Sequence, residues 1–211
     1  MSITIKALTP ELINDYFDFF DNRAFSDDSP FYPCYCNAFN MSLEQIKTQL
    51  FARSELYGNG VEGWKRVLRE SAWDMVKNGI IRGYLAYNDE LAVGWCNAND
   101  RMNYYRVGEF DMDNIPEDEP PLGCSEKGSV KSVVCFEISP DHRGRGIAGM
   151  LLAQVCKDAA DEGYSFVEAY PSDNLENGSL AFTGPLRLYE KYGFKEYARS
   201  SSAIIMRKAL K

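Results

Sequence analysis

The sequence has one histidine, His142, and its six cysteines include no Cys-x-x-Cys pair. Structural zinc sites draw on clustered cysteine and histidine, so neither a zinc framework nor any other metal centre is expected, and Cys34-x-Cys36 is at most half a site. Cys135 and Cys156 fall on an expected strand and helix, which favours free buried thiols over disulfides. No apolar run approaches the ~20 residues of a membrane span. The N-terminal MSITIKALTPELINDYF lacks a basic region followed by an apolar core, so a cytoplasmic location without a membrane partner is expected. Positive charge is also short: 23 Lys and Arg against 31 Asp and Glu leave a net charge of −8. That balance argues against a nucleic-acid surface. It suits either a cationic substrate or plain solubility. Internal repeats, low-complexity tracts and linker-like stretches are missing too, so residues 1–211 are expected to form one domain with a sizeable core.

What is present is concentrated in Lys131–Glu162. A β-branched and aromatic run, Val133–Ser139, reads as a buried strand that Pro140 stops. Arg143–Gly149 is a small-residue turn, and Ile147, Leu151, Leu152, Val155 and Ala159 then recur at helical spacing until Gly163. Strand, glycine turn and helix in that order form an anion site, because first-turn N–H groups lack internal partners and lie at the positive end of the helix dipole. Arg143 and Arg145 add charge that can pair with a phosphate.

Two patterns compete for this segment. Gly144-x-Gly146-x-x-Gly149 is a GxGxxG, with Glu168 near the position of a ribose-binding acid. Yet Pro140–Arg143 separates the strand from the glycines, and the succession of βαβ units that a parallel sheet needs is absent. The other pattern is Arg143-x-x-Gly146-x-Ala148 after Phe136-Glu137-Ile138-Ser139-Pro140. It resembles the acetyl-coenzyme A segment of the GNAT acetyltransferase superfamily, [Q/R]-x-x-G-x-[G/A] following a V-x-P strand. Leu188-Tyr189-Glu190-Lys191-Tyr192-Gly193-Phe194, about forty residues on, is similar to that family's Y-x-x-x-G-F helix end. The resemblance runs from about Ile80 to the C-terminus. It implies an α/β (α+β) fold with a mixed, mostly antiparallel central sheet, splayed central strands and flanking helices.

The remaining elements are read from local pattern. Ile3–Leu8 alternates as a strand, and Thr9 N-caps a helix with Pro10 at its first position and Ile13, Tyr16, Phe17 and Phe20 on one face. Asp21–Asn40 has no period and is rich in aromatics, prolines and cysteines, a composition that suits a binding loop better than a disordered one. Ser42 and Gln45 form a capping box for a second helix ending near Gly58-Asn59-Gly60, and a third carries Trp64, Val67, Leu68, Trp73 and Val76 to Asn78-Gly79. Ile80–Tyr87 and Leu91–Asn97 read as an antiparallel hairpin. Asn99–Lys127, with Glu109, Asp111, Asp113, Glu117, Asp118 and Glu119, reads as a solvated acidic loop or, less simply, a lure for an amine. Ser165–Tyr170 is a strand and Pro171–Phe182 a polar loop. Thr183-Gly184-Pro185 opens the helix Leu186–Lys191, and Phe194–Tyr197 with Ala203–Arg207 closes a hairpin.

The resemblance implies a function: transfer of an acetyl group from acetyl-coenzyme A to a primary amine on a small molecule or peptide. Backbone groups of Phe136 and Ile138 would bind the pantetheine arm, and Arg143, Gly144, Arg145, Gly146, Ile147 and Ala148 the pyrophosphate. Tyr189 would be the general acid, since a phenol with pKa ~10 can protonate a thiolate whose acid has pKa ~8.5. Glu137 is the candidate base, because burial beside the sheet would raise its pKa. Glu168 and Tyr170 are runners-up for that role. Phe31, Tyr32, Tyr35 and Tyr170 are candidate acceptor-wall residues, with simple packing as the alternative. The segment 21–79 would shape the acceptor side, and its helical pair could also carry a homodimer contact. The sequence departs from the family where Phe182 replaces an asparagine and Pro185 an alanine. A coenzyme-binding sensor without chemistry and a dinucleotide oxidoreductase are the readings from other classes.

Overall fold

A computed structural model describes residues 2–27, 29–58, 60–105, 130–171, 182–199 and 204–210. The alternating N-terminal segment forms β1 (Ile3–Ala7), and a 3-10 turn Pro10–Leu12 leads into α1 (Ile13–Asn22). Thr9 makes no side-chain cap; its hydroxyl bonds the Glu11 carboxylate, so the helix proper starts at Ile13 and not at Pro10. Ser42 and Gln45 do form the expected capping box at α2 (Leu43–Gln45). The helix then loosens into a π-helical stretch, Ile46–Phe51, before α3 (Ala52–Leu56). Within it Thr48 Oγ1 donates to the Glu44 carbonyl at 2.7 Å, a side-chain bond that competes with the regular ladder.

After α4 (Val61–Lys77), β2 (Gly83–Asn88) and β3 (Leu91–Asp100) form the antiparallel hairpin, with Asp89 in the left-handed region at its tip. The strand starts at Gly83, three residues later than expected. Then come β4 (Val130–Ile138), α5 (Ile147–Asp161), β5 (Phe166–Ala169), α6 (Leu186–Lys191), β6 (Lys195–Arg199) and β7 (Ile204–Ala209). They complete one seven-stranded sheet in the order β1-β2-β3-β4-β5-β7-β6. Among its pairs only β4 with β5 is parallel. A doubly wound sheet is therefore ruled out, and a mixed, mostly antiparallel one flanked by helices takes its place.

Two cores lie on the two faces, as strand alternation requires. Leu85, Tyr87 and Trp95 point to one face, where Tyr16, Phe17, Phe19 and Phe20 of α1 and Val67, Leu68, Ala72 and Val76 of α4 are buried. Tyr16 meets the Trp95 ring edge-on at 5.0 Å, a geometry worth about 0.5–1.5 kcal/mol beyond the area it buries. Tyr84, Ala86 and Cys96 point to the other face, covered by Ile147, Leu151, Leu152, Val155 and Ala159 of α5, with Tyr189 of α6 in the same cluster. The acidic residues Glu109 to Glu119 lie outside the described residues, as does most of the loop 171–182. No helix of the described residues is long and apolar enough to cross a membrane.

Candidate active site

The site begins with an irregularity in β4. Its register to β3 steps from Asn97↔Cys135 to Ala98↔Val133, which leaves Val134 as an extra residue. Val134 and Cys135 consequently both fall in the α1-side core, while Val133 and Phe136 face α5. A bulge of this kind bends the strand and increases its twist. The pairing of β4 with β5 stops at the same level, at Val133↔Ala169. From Val134 to Ile138 no described strand pairs with β4 on that side, so the sheet parts into a slot about 16 Å long.

The parity of the backbone along the slot is fixed by Ser139, whose N–H donates to the Val93 carbonyl at 3.0 Å. Groups of 137 and 139 therefore face β3, and by alternation those of Phe136 and Ile138 face the slot. The two differ in availability. Arg143 Nε donates to the Ile138 carbonyl at 3.0 Å, and the Ile138 N–H bonds the Glu137 carboxylate. Among the described residues no such side-chain partner is found for the Phe136 backbone.

Glu137 lies on the α1 side, buried to 8 % exposure, with its carboxylate 3.3 Å from Arg143 Nη2. Burial is the largest influence and pushes its pKa up to about 7, against the pull of Arg143 and the Ile138 amide and with the help of Asp27. Arg143 also donates through Nη1 to Asp27, a residue of the N-terminal loop. Its guanidinium, expected from the sequence to pair with a phosphate, faces two carboxylates and a carbonyl. Asp27 was not anticipated. It lies in an unpatterned loop, and nothing local marks it.

Beyond the 3-10 turn Pro140–His142, Gly144 (φ 73°) and Gly146 (φ 79°) adopt left-handed conformations that most side chains resist. A Cβ at either would meet nothing within 4 Å, so the turn's backbone is bare. Gly146 precedes α5, whose first turn has neither a side-chain cap nor an acidic residue. The amides of Ile147, Ala148 and Gly149 have no acceptor within the helix. Gly149 is needed for another reason: a Cβ there would lie 2.4 Å from the Tyr192 hydroxyl. His142, in the same turn, is half-buried, and its Nδ1 has no hydrogen-bond partner among the described residues.

Tyr189 is fully buried, packed between Phe136 and Phe194 at centroid distances of 6.5 and 5.5 Å. Its hydroxyl donates to the Thr183 carbonyl at 2.5 Å, and burial holds its pKa well above the ordinary tyrosine value. A Cβ at Gly184 would lie 3.4 Å from the Tyr189 hydroxyl and 3.5 Å from the side chains of Leu188 and Phe136, so the segment before α6 closes against the slot. Thr183 was not expected to take part.

The candidate wall residues separate into two groups. Phe31 meets Phe182 edge-on at 5.4 Å, which joins the N-terminal loop to the segment before α6. Tyr32 is 37 % exposed. Tyr35 is buried, with its hydroxyl donating to Asp21 at 2.5 Å, and acts in packing. Tyr170 is also buried, bonded to Ser132 at 2.8 Å and Glu168 at 3.0 Å. Glu168 is itself fully enclosed and paired with Arg207, so this runner-up base is held in a structural network. Cys34, Cys36, Cys96, Cys135 and Cys156 are free thiols. Among the described residues no cluster of histidine, cysteine, aspartate or glutamate is arranged to hold a metal ion.

A mixed sheet that parts beside a bare helix N-terminus gives the chain the fold of the acetyltransferases. The family described as "Acetyltransferase (GNAT) domain" matches residues 80–196, more than half of the 211, and the chain belongs to it. Among solved structures, the PaiA N-acetyltransferase of Thermoplasma acidophilum, in complex with coenzyme A, is 16 % identical over 99 % of both chains, with a TM-score of 0.53. An N-acetyltransferase of Staphylococcus aureus Mu50 is 12 % identical over 100 % of both chains, with a TM-score of 0.50. At these identities the likeness is one of fold. No curated protein matches the chain.

Proposed function

We propose that the protein transfers an acetyl group from acetyl-coenzyme A to a primary amine by direct attack. The observation that carries this reading is Glu137, a carboxylate whose burial pushes its pKa up to about 7, on the strand whose Phe136 backbone opens into the slot. A base of that strength is suited to take a proton from an ammonium group at neutral pH. The bare turn and uncapped α5 fit a diphosphate, since no side chain of the described residues comes within 4 Å of where a Cβ at Gly144 or Gly146 would stand. The amides of Gly144, Gly146, Ile147 and Ala148 would hold it, with Arg145 adding positive charge. The bound coenzyme would supply the acyl group already activated as a thioester.

Glu137 and Tyr189 sit on opposite faces of the parted sheet, in the α1-side and α5-side environments. The amine therefore approaches from the side of the N-terminal loop, where Phe31 and Phe182 meet, and the segment 21–79 shapes that approach. The Phe136 N–H, which faces the slot, is the donor for the thioester oxygen. Tyr189 gives its proton to the departing thiolate on the far side, which leaves as the free thiol. Its hydroxyl must first exchange the Thr183 carbonyl for the sulfur, and this internal bond is the observation that favours a coenzyme sensor as the second reading. Tyr189→Phe separates the two. Because a thiol of pKa ~8.5 leaves readily, turnover should fall only about tenfold, with coenzyme binding nearly unchanged. Unchanged turnover would remove Tyr189 from the chemistry.

The reading as a whole is tested by thiol release across a panel of amines, polyamines, aminoglycosides and peptides, beside thermal unfolding with coenzyme A or NAD. Coenzyme A at 100 times its Kd should stabilise the fold by about 2.7 kcal/mol, and NAD should not. Protection without thiol release from any amine would leave the sensor; protection by NAD alone would reject both.

A further inference from the structure

Arg143 is the one cation that touches Glu137 among the described contacts, and it is shared. Nη2 lies 3.3 Å from Glu137, Nε donates to the Ile138 carbonyl at 3.0 Å, and Nη1 donates to Asp27. The guanidinium is planar and its donors are fixed in a fork, so a partner at each edge dictates its orientation. Asp27 comes from the other end of the chain, 116 residues away in sequence, on the loop that carries Phe31. Its carboxylate and that of Glu137 draw on the same positive charge. The remaining groups that act with Glu137 are the Ile138 amide and the thiols of Cys34, on the loop, and Cys135, on β4.

We propose that Asp27 is a positioning residue for the transfer: by sharing Arg143 with Glu137, it holds the guanidinium in place and keeps it from pairing wholly with the base. This rests on the acetyl-transfer reading for its purpose and on the ion pairs alone for its geometry. Without Asp27, Arg143 would turn fully to Glu137 and make a weaker base of it. Without Arg143, Glu137 would face Asp27 and the apolar interior with no cation, and would hold its proton more tightly. The two substitutions therefore move the base in opposite directions, which a loss of packing would not do. The arrangement also ties the base to the loop that faces the acceptor, so a change in that loop reaches Glu137 through a single guanidinium.

The test follows the Glu137 carboxyl carbon by NMR as the ligand-free protein is titrated, in wild type, Asp27→Asn and Arg143→Gln. The acidic limb of the pH–rate profile is measured beside it. The wild-type midpoint is expected at about 7. Asp27→Asn should lower it and Arg143→Gln raise it, each by at least about half a unit, with the rate limb moving in step. Arg143→Lys, which keeps the charge but not the fork, should return the midpoint part of the way to that of wild type. An Asp27→Asn midpoint that stays put or rises overturns the proposal. Opposite shifts in the NMR titration together with no thiol release from any amine would keep the relay and reject acetyl transfer.

Discussion

Glu137→Gln is expected to lower turnover by about two to four orders of magnitude and to abolish the rise of rate with pH through neutrality. The substitution keeps the shape of the side chain and its contact with the Ile138 amide, but it cannot take a proton. Coenzyme binding, which we propose to involve the glycine turn and Phe136, should be little affected. The same change should make the protein more stable in alkali. The folded-state pKa of Glu137 is raised to about 7, so the folded protein binds the proton more tightly than the unfolded chain does. The carboxylate is comfortable when protonated, below the unfolded value of ~4.3, and ionisation costs stability progressively as pH climbs to about 7. Above that, the penalty is on the order of 3 kcal/mol. Glutamine carries no such penalty. At pH 8 the variant should therefore resist urea better than wild type, whereas near pH 4 the two should coincide. Higher stability with lost turnover is the signature of a group buried for its chemistry. Full activity with the limb intact would place the base elsewhere.

Arg207→Met should destabilise the fold by about 3–5 kcal/mol, read as a fall of roughly 10 °C in Tm. Glu168 on β5 and Arg207 on β7 are register partners, and the carboxylate is completely enclosed. Arg207 Nε donates to Glu168 Oε1 at 2.7 Å, and its guanidinium lies 3.5 Å from the centre of the Tyr197 ring. Methionine retains the apolar length but leaves a carboxylate in the interior with, among the described residues, the Tyr170 hydroxyl as its remaining hydrogen-bond partner. Breaking one side of such a pair costs far more than removing both. The double change Glu168→Leu with Arg207→Met should accordingly recover most of the lost stability. A single variant as stable as wild type would mean that water reaches Glu168. The network matters to the site because Glu168 and Ser132 hold Tyr170 just past the last β4–β5 pair, where the slot opens.

The sequence determines what neighbours in the chain determine. The strand before Pro140, the left-handed glycines at 144 and 146, the helix to Asp161 and the short helix carrying Tyr189 are legible because φ preferences and apolar period act within one or two turns. Two motifs in order suffice for the family, and the hairpin before β4 suffices to exclude a parallel sheet. Even locally the reading errs where side chains intervene, as at Thr9 and Thr48. The site is another matter. That Val134 bulges, that β5 ends at Ala169 and that the Phe136 backbone faces the slot follow from the pairing of strands distant in sequence. Glu137 is named by its place on the strand, but its affinity for a proton is set by burial and Asp27, which raise it, against Arg143, which lowers it. Asp27, Thr183 and Arg207 carry no motif at all. Their roles arise from charge and hydrogen bonds made across the folded molecule, where the low-dielectric interior gives long-range contacts an energy that no local pattern encodes.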